Sequence, residues 1–174
     1  MKNLPVVMDA SAKEVFFHIG LTLFSAQEFE ECLLGMLTGL YVTENPQNWR
    51  ENYHRETENL NSLPLGKLLA RSRKIVSFDQ EVDATLELAL KQRNKFIHGY
   101  YYKTCGPLSD HRCHKQIIDE VTEFRNLFKK ASSMIEPLSY KLMLKAGMTE
   151  QHITILLSRA VSAQIQEKLK SDCN

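Results

Sequence analysis

The sequence is poor in residues that interrupt regular structure, with only 7 glycines and 5 prolines among 174 residues. This scarcity excludes collagen-like and low-complexity chains and is typical of a globular domain. Long hydrophobic runs are also missing, since no stretch approaches the roughly 20 apolar residues that a membrane-spanning helix needs. We therefore predict one soluble domain over residues 1–174, with no membrane partner.

Cysteine and net charge are scarce as well. The four cysteines are widely spaced and do not form the dense set of a disulfide-stapled secreted domain, so reduced thiols and a cytoplasmic location are expected. The 22 Lys and Arg residues nearly balance the 21 Asp and Glu residues. This balance argues against a basic field that binds any nucleic acid indiscriminately, so a nucleic-acid site has to be local.

Apolar residues recur at helical spacing over most of the chain. The pattern predicts helices over residues 15–41, within 47–62, and over 65–76, 79–98 and 117–142, followed by an accessory helix at 149–170. No alternating strand pattern competes with it. The predicted fold class is all-α, an antiparallel bundle of about five helices.

Local signals mark the ends of the helix that follows residue 78. Asp79 is a preferred N-cap residue, and Gly99 stands where a helix C-terminal cap prefers glycine. Residues 100–112 carry Gly-Pro and Ser-Asp turn signals and have no helical period. The sequence thus predicts His98 at a helix end, followed by the main loop.

Two further signals concern the longest helices. Ser11 and Glu14 have the spacing of a capping box, which predicts the start of the first helix at that point. Pro137 predicts a kink or a break in the helix that begins near Ile117.

Chemistry is concentrated in the segment Arg93-Asn94-Lys95-Phe96-Ile97-His98-Gly99-Tyr100. On a helix, Asn94 and His98 lie one turn apart on the same side, and the long side chain of Arg93 can reach the same cleft. Histidine exchanges protons near neutral pH, and arginine offers charged donors to a phosphate. These three residues are the candidate catalytic residues.

The spacing of Arg93 and His98, with a polar residue after the arginine, resembles the R-x4-H signature of the HEPN family of ribonucleases. The resemblance implies a HEPN-like helical domain that cleaves RNA to a 2′,3′-cyclic phosphate and a 5′-hydroxyl without a metal or cofactor. It also implies a homodimer with the two motifs facing each other across the interface. The expected function is that of a toxin or defence effector.

The residues after the motif are candidates for binding the substrate. Tyr100, Tyr101 and Lys103 could stack on unpaired bases and hold a phosphate, with Arg112 adding a positive edge. Packing of the rings beneath the loop is the alternative. The arrangement Arg93-x4-His98-x-Tyr100 also resembles HEPN toxins whose tyrosine is adenylylated, which implies Tyr100 as a modification site and an MNT nucleotidyltransferase antitoxin as a separate partner.

Each of these functional interpretations has a structural alternative. Arg93 could be a surface residue, and His98 could bond the last carbonyls of its helix. The nearby residues Cys105, His111, Cys113 and His114 are metal-ligand types, but their spacing is not a standard zinc pattern, and a positive edge or solvated loop is favoured. Glu28, Glu30 and Glu31 are interpreted as the solvated face of the first helix, without a role.

Two other functions are compatible with the sequence. The first is a non-catalytic HEPN-like module that binds nucleotide or RNA, or scaffolds a partner, with the motif retained for structure. The second is a helical transcriptional regulator that docks residues 149–169 on a partner helix or on DNA. The cations of that segment are only Arg159, Lys168 and Lys170, too few for confident duplex binding.

Overall fold

A computed structural model of the chain describes residues 10–43, 46–145, 147–151 and 153. Over these residues the backbone is helical with short connections and contains no strand. The five α-helices are α1 (Ala10–Thr43), α2 (Trp49–Asn61), α3 (Leu65–Ile75), α4 (Gln80–Thr104) and α5 (His111–Lys145). One-turn 3-10 helices at Pro46–Asn48 and Pro107–Ser109 precede α2 and α5. The predicted all-α bundle of about five helices is confirmed.

The two longest helices, α1 and α5, pack side by side and run in the same direction. Near the start of the pair the Thr22 hydroxyl donates to the Val121 carbonyl over 2.9 Å, and near its end Gly39 lies against Leu142. A Cβ added at Gly39 would lie 3.3 Å from the Leu142 Cβ, so the glycine allows the two helices to approach closely.

Helix α4 packs against α5 in the opposite direction. Lys130 of α5 pairs with Glu81 in the first turn of α4 at 3.1 Å. Further along α4, the rings of Phe96 and Tyr100 lie 5.9 and 5.8 Å from the ring of Phe124. These rings belong to one cluster of buried residues that draws on all five helices. Burial of each large apolar side chain contributes about 1.5–3 kcal/mol, which makes this cluster the main source of stability.

Helix α4 extends further than the sequence predicts. The predicted end at His98, with Gly99 as its cap and residues 100–112 as a loop, is wrong, because α4 continues to Thr104. The physical reason is burial: Tyr100 is 4% exposed and Thr104 is 3% exposed, so the chain packs these side chains by remaining helical. The connection to α5 is therefore short, and the tyrosines lie on a helix.

The other boundary signals have mixed outcomes. Asp79 is confirmed as the N-cap of α4, and its side chain accepts from the Val82 N–H at 2.9 Å. The capping prediction for Ser11 is wrong: Ser11 lies inside α1, and its hydroxyl is 2.6 Å from the Nδ1 of His114. Pro137 does not end α5, which continues through it as one helix.

The far end of the chain is described over a few residues. The predicted accessory helix at 149–170 lies outside the described residues from residue 154 onward. Met148 and Ile153 are buried, with 3% and 2% of their surface exposed. Among the helices of the described ranges, none combines the length and the apolar character required to span a bilayer.

Candidate functional site

Arg93, Asn94 and His98 line one groove at the surface of the bundle. The groove has a volume of about 610 Å³ and is bounded by Glu30 of α1 and by residues 63–67, which connect α2 to α3 and form the first turn of α3. Asn94 and His98 are exposed, whereas Arg93 and Glu30 are half-buried. The structure thus brings together the three candidate catalytic residues in one place open to solvent.

The position of the motif follows from the packing of α4. Phe96 and Tyr100 are 7% and 4% exposed and fix the rotation of the helix by facing α5. Asn94 and His98 stand on another side of the same turns, one turn apart, and so face the groove. Burial of the two rings therefore determines where the polar motif residues point.

Arg93 is held by two neighbours. Its Nε donates to the Oε1 of Glu30 in an ion pair across α1 and α4, and its Nη1 lies 3.4 Å from the Oδ1 of Asn94. The side chains of Arg93 and Glu30 are 20% and 30% exposed. The prediction that Glu30 is a solvated residue without a role is therefore wrong, because sequence spacing along α1 carries no information about a partner 63 residues away.

The wall of the groove opposite the motif was not predicted. It consists of Leu63, Pro64 and the first turn of α3, where Gly66 and Lys67 are exposed. The amino-terminal end of a helix carries a partial positive charge, and Lys67 adds a full one. Together with Arg93, these groups make part of the groove attractive to anions, while Glu30 is the one carboxylate among the described residues that line it.

Tyr100 lies outside the groove, in the core. Its ring packs against Phe96 and Phe124, with centroids 5.4 and 5.8 Å away, and its hydroxyl is 3.4 Å from a carboxylate oxygen of Glu120. Burial, followed by the negative charge of Glu120, raises the pKa of the Tyr100 hydroxyl well above its ordinary value. The structure therefore places this candidate binding and modification residue in the core rather than in the groove.

The next two tyrosines have the opposite environment. Tyr101 and Tyr102 are 71% and 80% exposed, and they lie three and four residues beyond His98. This spacing puts all three side chains on one side of α4. The rings of the two tyrosines are 5.6 Å apart with an interplanar angle of 75°. Tyr101 is therefore adjacent to the motif, as a base-stacking role requires.

Two cationic candidates lie apart from the motif. Lys103 pairs with Glu120 of α5 at 2.6 Å, on a different side of α4 from His98. Arg112, which is paired with Asp110 at 2.7 Å, lies near the start of α5. With a rise of about 1.5 Å per residue in antiparallel helices, Arg112 is roughly 18 Å from Arg93 along the helix axes. The structure does not bring Lys103 or Arg112 into the groove.

The predicted zinc alternative finds no support in the described residues, which hold no group of three or more His, Cys, Asp or Glu side chains placed for a metal ion. Cys105 and His111 are exposed, and Cys113 is half-buried. The interpretation of His114 as part of a positive edge is wrong, because it is 3% exposed. Its ring nitrogens contact the Ser11 hydroxyl of α1 and, at 3.0 Å, the Leu108 carbonyl oxygen. These contacts join α1 to the start of α5.

A second, smaller depression of about 300 Å³ lies between α1 and α5. Leu21, Phe24 and Glu28 line one side of it, and Arg125 and Lys129 line the other. Next to it, α1 exposes large apolar side chains, which are Phe16, Phe17, Leu21, Leu23 and Phe24. None of the motif residues reaches this depression, so it forms a separate surface.

Comparisons of the chain with protein-family models, with curated proteins and with solved structures find no match in any of the three.

Proposed function

We propose that the chain is a metal-independent endoribonuclease of the HEPN type that acts in the cytoplasm on cellular RNA, as a toxin or a defence effector. The observation that carries this proposal is the groove lined by Arg93, Asn94 and His98. Its volume of about 610 Å³ is in the range of about 300–1,000 Å³ typical of ligand sites. An open groove also admits a polymer strand, which a closed cavity does not.

The proposed reaction uses the 2′-hydroxyl of RNA as the nucleophile. Its oxygen attacks the adjacent phosphorus while an imidazole accepts the hydroxyl proton, and the bond from phosphorus to the 5′-oxygen breaks. A protonated imidazole donates a proton to the departing 5′-oxygen. Arg93 donates to the phosphate oxygens as negative charge develops on them, and Asn94 supplies a further polar contact. The products are a 2′,3′-cyclic phosphate and a 5′-hydroxyl.

The proposal includes a homodimer. One imidazole cannot easily accept a proton on one side of the phosphate and donate a proton on the other, whereas two copies of His98 can divide the two tasks. The exposed side of α4, which carries His98 and Ile97, is the surface expected to meet its counterpart. Ile97 is 38% exposed there and offers an apolar contact beside the motif.

Two partners complete the proposal. Unpaired bases of RNA stack on the exposed ring of Tyr101, close to His98. An MNT nucleotidyltransferase antitoxin, as a separate protein, is the proposed modifier of Tyr100. The burial of that hydroxyl means that α4 and α5 have to separate locally before it can be modified.

The proposal is tested by incubating total RNA with purified protein in excess EDTA and examining the ends of the products. We expect cleavage by the wild type, with cyclic phosphate ends, and rates lower by about 100-fold or more for His98→Ala and Arg93→Ala, as removal of a catalytic acid or base causes. His111→Ala and Arg112→Ala are matched controls, because both residues are exposed at the start of α5 and lie outside the groove. Their rates should equal that of the wild type.

A second candidate, a module that binds RNA without cleaving it, is favoured by one specific observation. Among the described residues, none forms a hydrogen bond that orients the His98 imidazole, whereas a catalytic base is usually oriented by a third group. If a folded, dimeric wild type leaves RNA intact, the endoribonuclease proposal is wrong. Retained binding of a 2′-O-methyl RNA that weakens in Arg93→Ala would then support the second candidate.

A further inference from the structure

The ion pair between Glu30 and Arg93 is the contact by which α1 reaches the candidate site. Elsewhere α1 packs mainly on α5, and α4 also packs on α5, so the pair bridges two helices that otherwise meet little. Glu30 is flanked along α1 by core residues, with Phe29 and Leu33 at 0% exposure. Because these buried neighbours fix the helix, the carboxylate of Glu30 is held at the edge of the groove.

The pair occupies a particular edge of the guanidinium group. Nε of Arg93 donates to Glu30, and Nη1 lies 3.4 Å from the side-chain oxygen of Asn94. An arginine has five N–H donors in a planar fork, so two of these directions are taken by the protein. The donors on Nη2 and the second hydrogen of Nη1 remain for a ligand in the groove.

We infer that Glu30 is the positioning residue of the site: it fixes the plane of the Arg93 guanidinium so that the remaining Nη1 and Nη2 donors are presented to an RNA phosphate. This inference deepens the endoribonuclease proposal and rests on it for its catalytic consequence. A donor fixed in advance stabilises the charge of the transition state without having to be reoriented during the reaction. Glu30 touches Arg93 rather than the substrate, and so acts through the arginine.

The two neighbouring glutamates of α1 do not share this contact. Glu28 lines the depression between α1 and α5. Glu31 is exposed, and its negative charge adds to the effect of burial in raising the pKa of the Tyr53 hydroxyl. Successive helix residues point about 100° apart, which explains why one of three similar residues reaches α4. Glu31→Gln is therefore a matched control: it makes the same chemical change at a side chain that points away from Arg93.

A competing explanation predicts the opposite kinetic effect. If Glu30 only neutralised the arginine, it would weaken the attraction of the groove for phosphate. Its removal would then lower the KM for RNA and leave kcat unchanged. If Glu30 positions the guanidinium, its removal lowers kcat while KM changes little, because a mobile arginine still attracts RNA but no longer meets the transition state in one geometry.

The first experiment measures kcat and KM with a short fluorescent RNA oligonucleotide of mixed sequence. For Glu30→Ala we expect kcat to fall by about 10- to 100-fold, as misplacement of a catalytic group causes, with KM within about threefold of the wild-type value. Glu30→Gln should retain more activity, since its amide oxygen still accepts from Nε, and Glu31→Gln should match the wild type. A lower KM with unchanged kcat in Glu30→Ala, or a kcat of Glu30→Ala equal to that of Glu31→Gln, would overturn the inference.

The second experiment does not depend on cleavage. Nitrogen-15 NMR of the Arg93 Nε–H, assigned with Arg93→Lys, measures the exchange of this proton with water. We expect slow exchange in the wild type and in Glu31→Gln, and exchange at least about tenfold faster in Glu30→Gln, where the charge-assisted bond is replaced by a neutral one. Equal exchange in all three proteins would overturn the inference.

The two experiments separate the two proposals. If proton exchange at Arg93 depends on Glu30 but the wild type leaves RNA intact, the endoribonuclease proposal is wrong. Glu30 is then still the group that fixes Arg93. Cleavage together with exchange that is indifferent to Glu30 would keep the nuclease and remove the positioning role. Circular dichroism of each variant confirms that helix content is intact, and Glu30→Gln provides a variant of unchanged shape.

Discussion

At the scale of single residues, three consecutive tyrosines of α4 have very different surroundings. Tyr100 is 4% exposed, whereas Tyr101 and Tyr102 are 71% and 80% exposed. The reason is geometric, because each step along a helix turns the side chain by about 100°. A sequence that lists three identical residues does not show this difference unless the extent of the helix is known. Tyr101, but not Tyr100, is therefore placed to meet a ligand beside His98.

The buried hydroxyl of Tyr100 predicts a specific dependence of stability on pH. Burial and the charge of Glu120 raise its pKa in the folded protein, while in the unfolded chain it titrates near the ordinary tyrosine value of about 10. Its contribution to the free energy of unfolding is therefore complete below about pH 10 and is lost as the pH rises toward the folded-state pKa. The measurement is urea unfolding of the wild type and of Tyr100→Phe at several pH values from about 8 to about 11.5. This range brackets the ordinary tyrosine pKa of about 10.

We expect Tyr100→Phe to be less stable than the wild type at pH 8 by about 1 kcal/mol, the size of a typical net hydrogen bond. Above about pH 10 the difference should shrink, because the phenylalanine variant has no hydroxyl to ionise when it unfolds. Other titrating groups are common to both proteins and cancel in the comparison. A difference that stays constant across this range would contradict the burial of the hydroxyl.

The misjudged role of Glu30 has the same kind of cause. The sequence predicted Arg93, Asn94 and His98 as a group because they are close neighbours on one helix. The partner of Arg93 lies 63 residues earlier in the chain, among three similar glutamates, and no local pattern distinguishes it. Contacts between distant residues depend on how the helices pack, and that information appears only with the fold.

At the scale of elements, the sequence predicted most of the helices but misplaced the C-terminal end of α4. Strong local signals, such as the Asp79 cap, were correct. The signal at Gly99 was misleading, because a single exposed glycine is tolerated inside a helix at a cost of about 1 kcal/mol relative to alanine. The burial of Tyr100 and Thr104 outweighs the low helix propensity of one glycine, so α4 gains stability by continuing.

The continuous course of α4 predicts that Gly99→Ala stabilises the protein. Gly99 is exposed and lies inside the helix, and an added Cβ would meet nothing within 4 Å. Alanine loses less conformational freedom on folding, so we expect the free energy of unfolding to rise by about 0.5–1 kcal/mol. Urea unfolding measures the change. If Gly99 were instead a left-handed helix cap, alanine would destabilise the protein.

Gly39 provides the contrasting position in the same experiment. It is buried where α1 meets α5, and a Cβ there would lie 3.3 Å from Leu142. We expect Gly39→Val to lower the free energy of unfolding by about 1–3 kcal/mol, because the added methyl groups force the helices apart. A rise in the free energy of unfolding for Gly99→Ala and a fall for Gly39→Val would distinguish the open space at Gly99 from the close packing at Gly39.

At the scale of the whole molecule, the candidate site is built from three separate parts of the chain. The motif on α4 was predicted, but the facing wall at residues 63–67 and the carboxylate on α1 were not. The wall residues include Leu63 and Pro64, which carry no chemical signature in the sequence. A sequence can thus indicate the reactive groups of a site, whereas the shape of the groove depends on the packing of helices.

Two exposed surfaces are candidates for the interface of the proposed dimer. The proposed one is the side of α4 that carries Ile97 and His98, and the other is the apolar face of α1, where Phe17 and Phe24 are 63% and 62% exposed. Exposed apolar groups of this size often mark interaction surfaces. The endoribonuclease proposal needs the first surface, because that surface carries the His98 that two copies have to bring to one phosphate.

The last prediction concerns the oligomeric state and tests the proposed interface on α4. A carboxylate introduced at the centre of the dimer interface would be buried without a partner, at a cost of several kcal/mol. Such a cost corresponds to a dissociation constant weaker by about 100-fold or more. We expect Ile97→Asp to convert the dimer to a monomer and to abolish cleavage, and Phe17→Asp to leave both unchanged. Light scattering after gel filtration measures the mass, and the RNA assay measures the activity. A dimer that survives Ile97→Asp but dissociates in Phe17→Asp would place the contact on α1 and contradict the proposed interface.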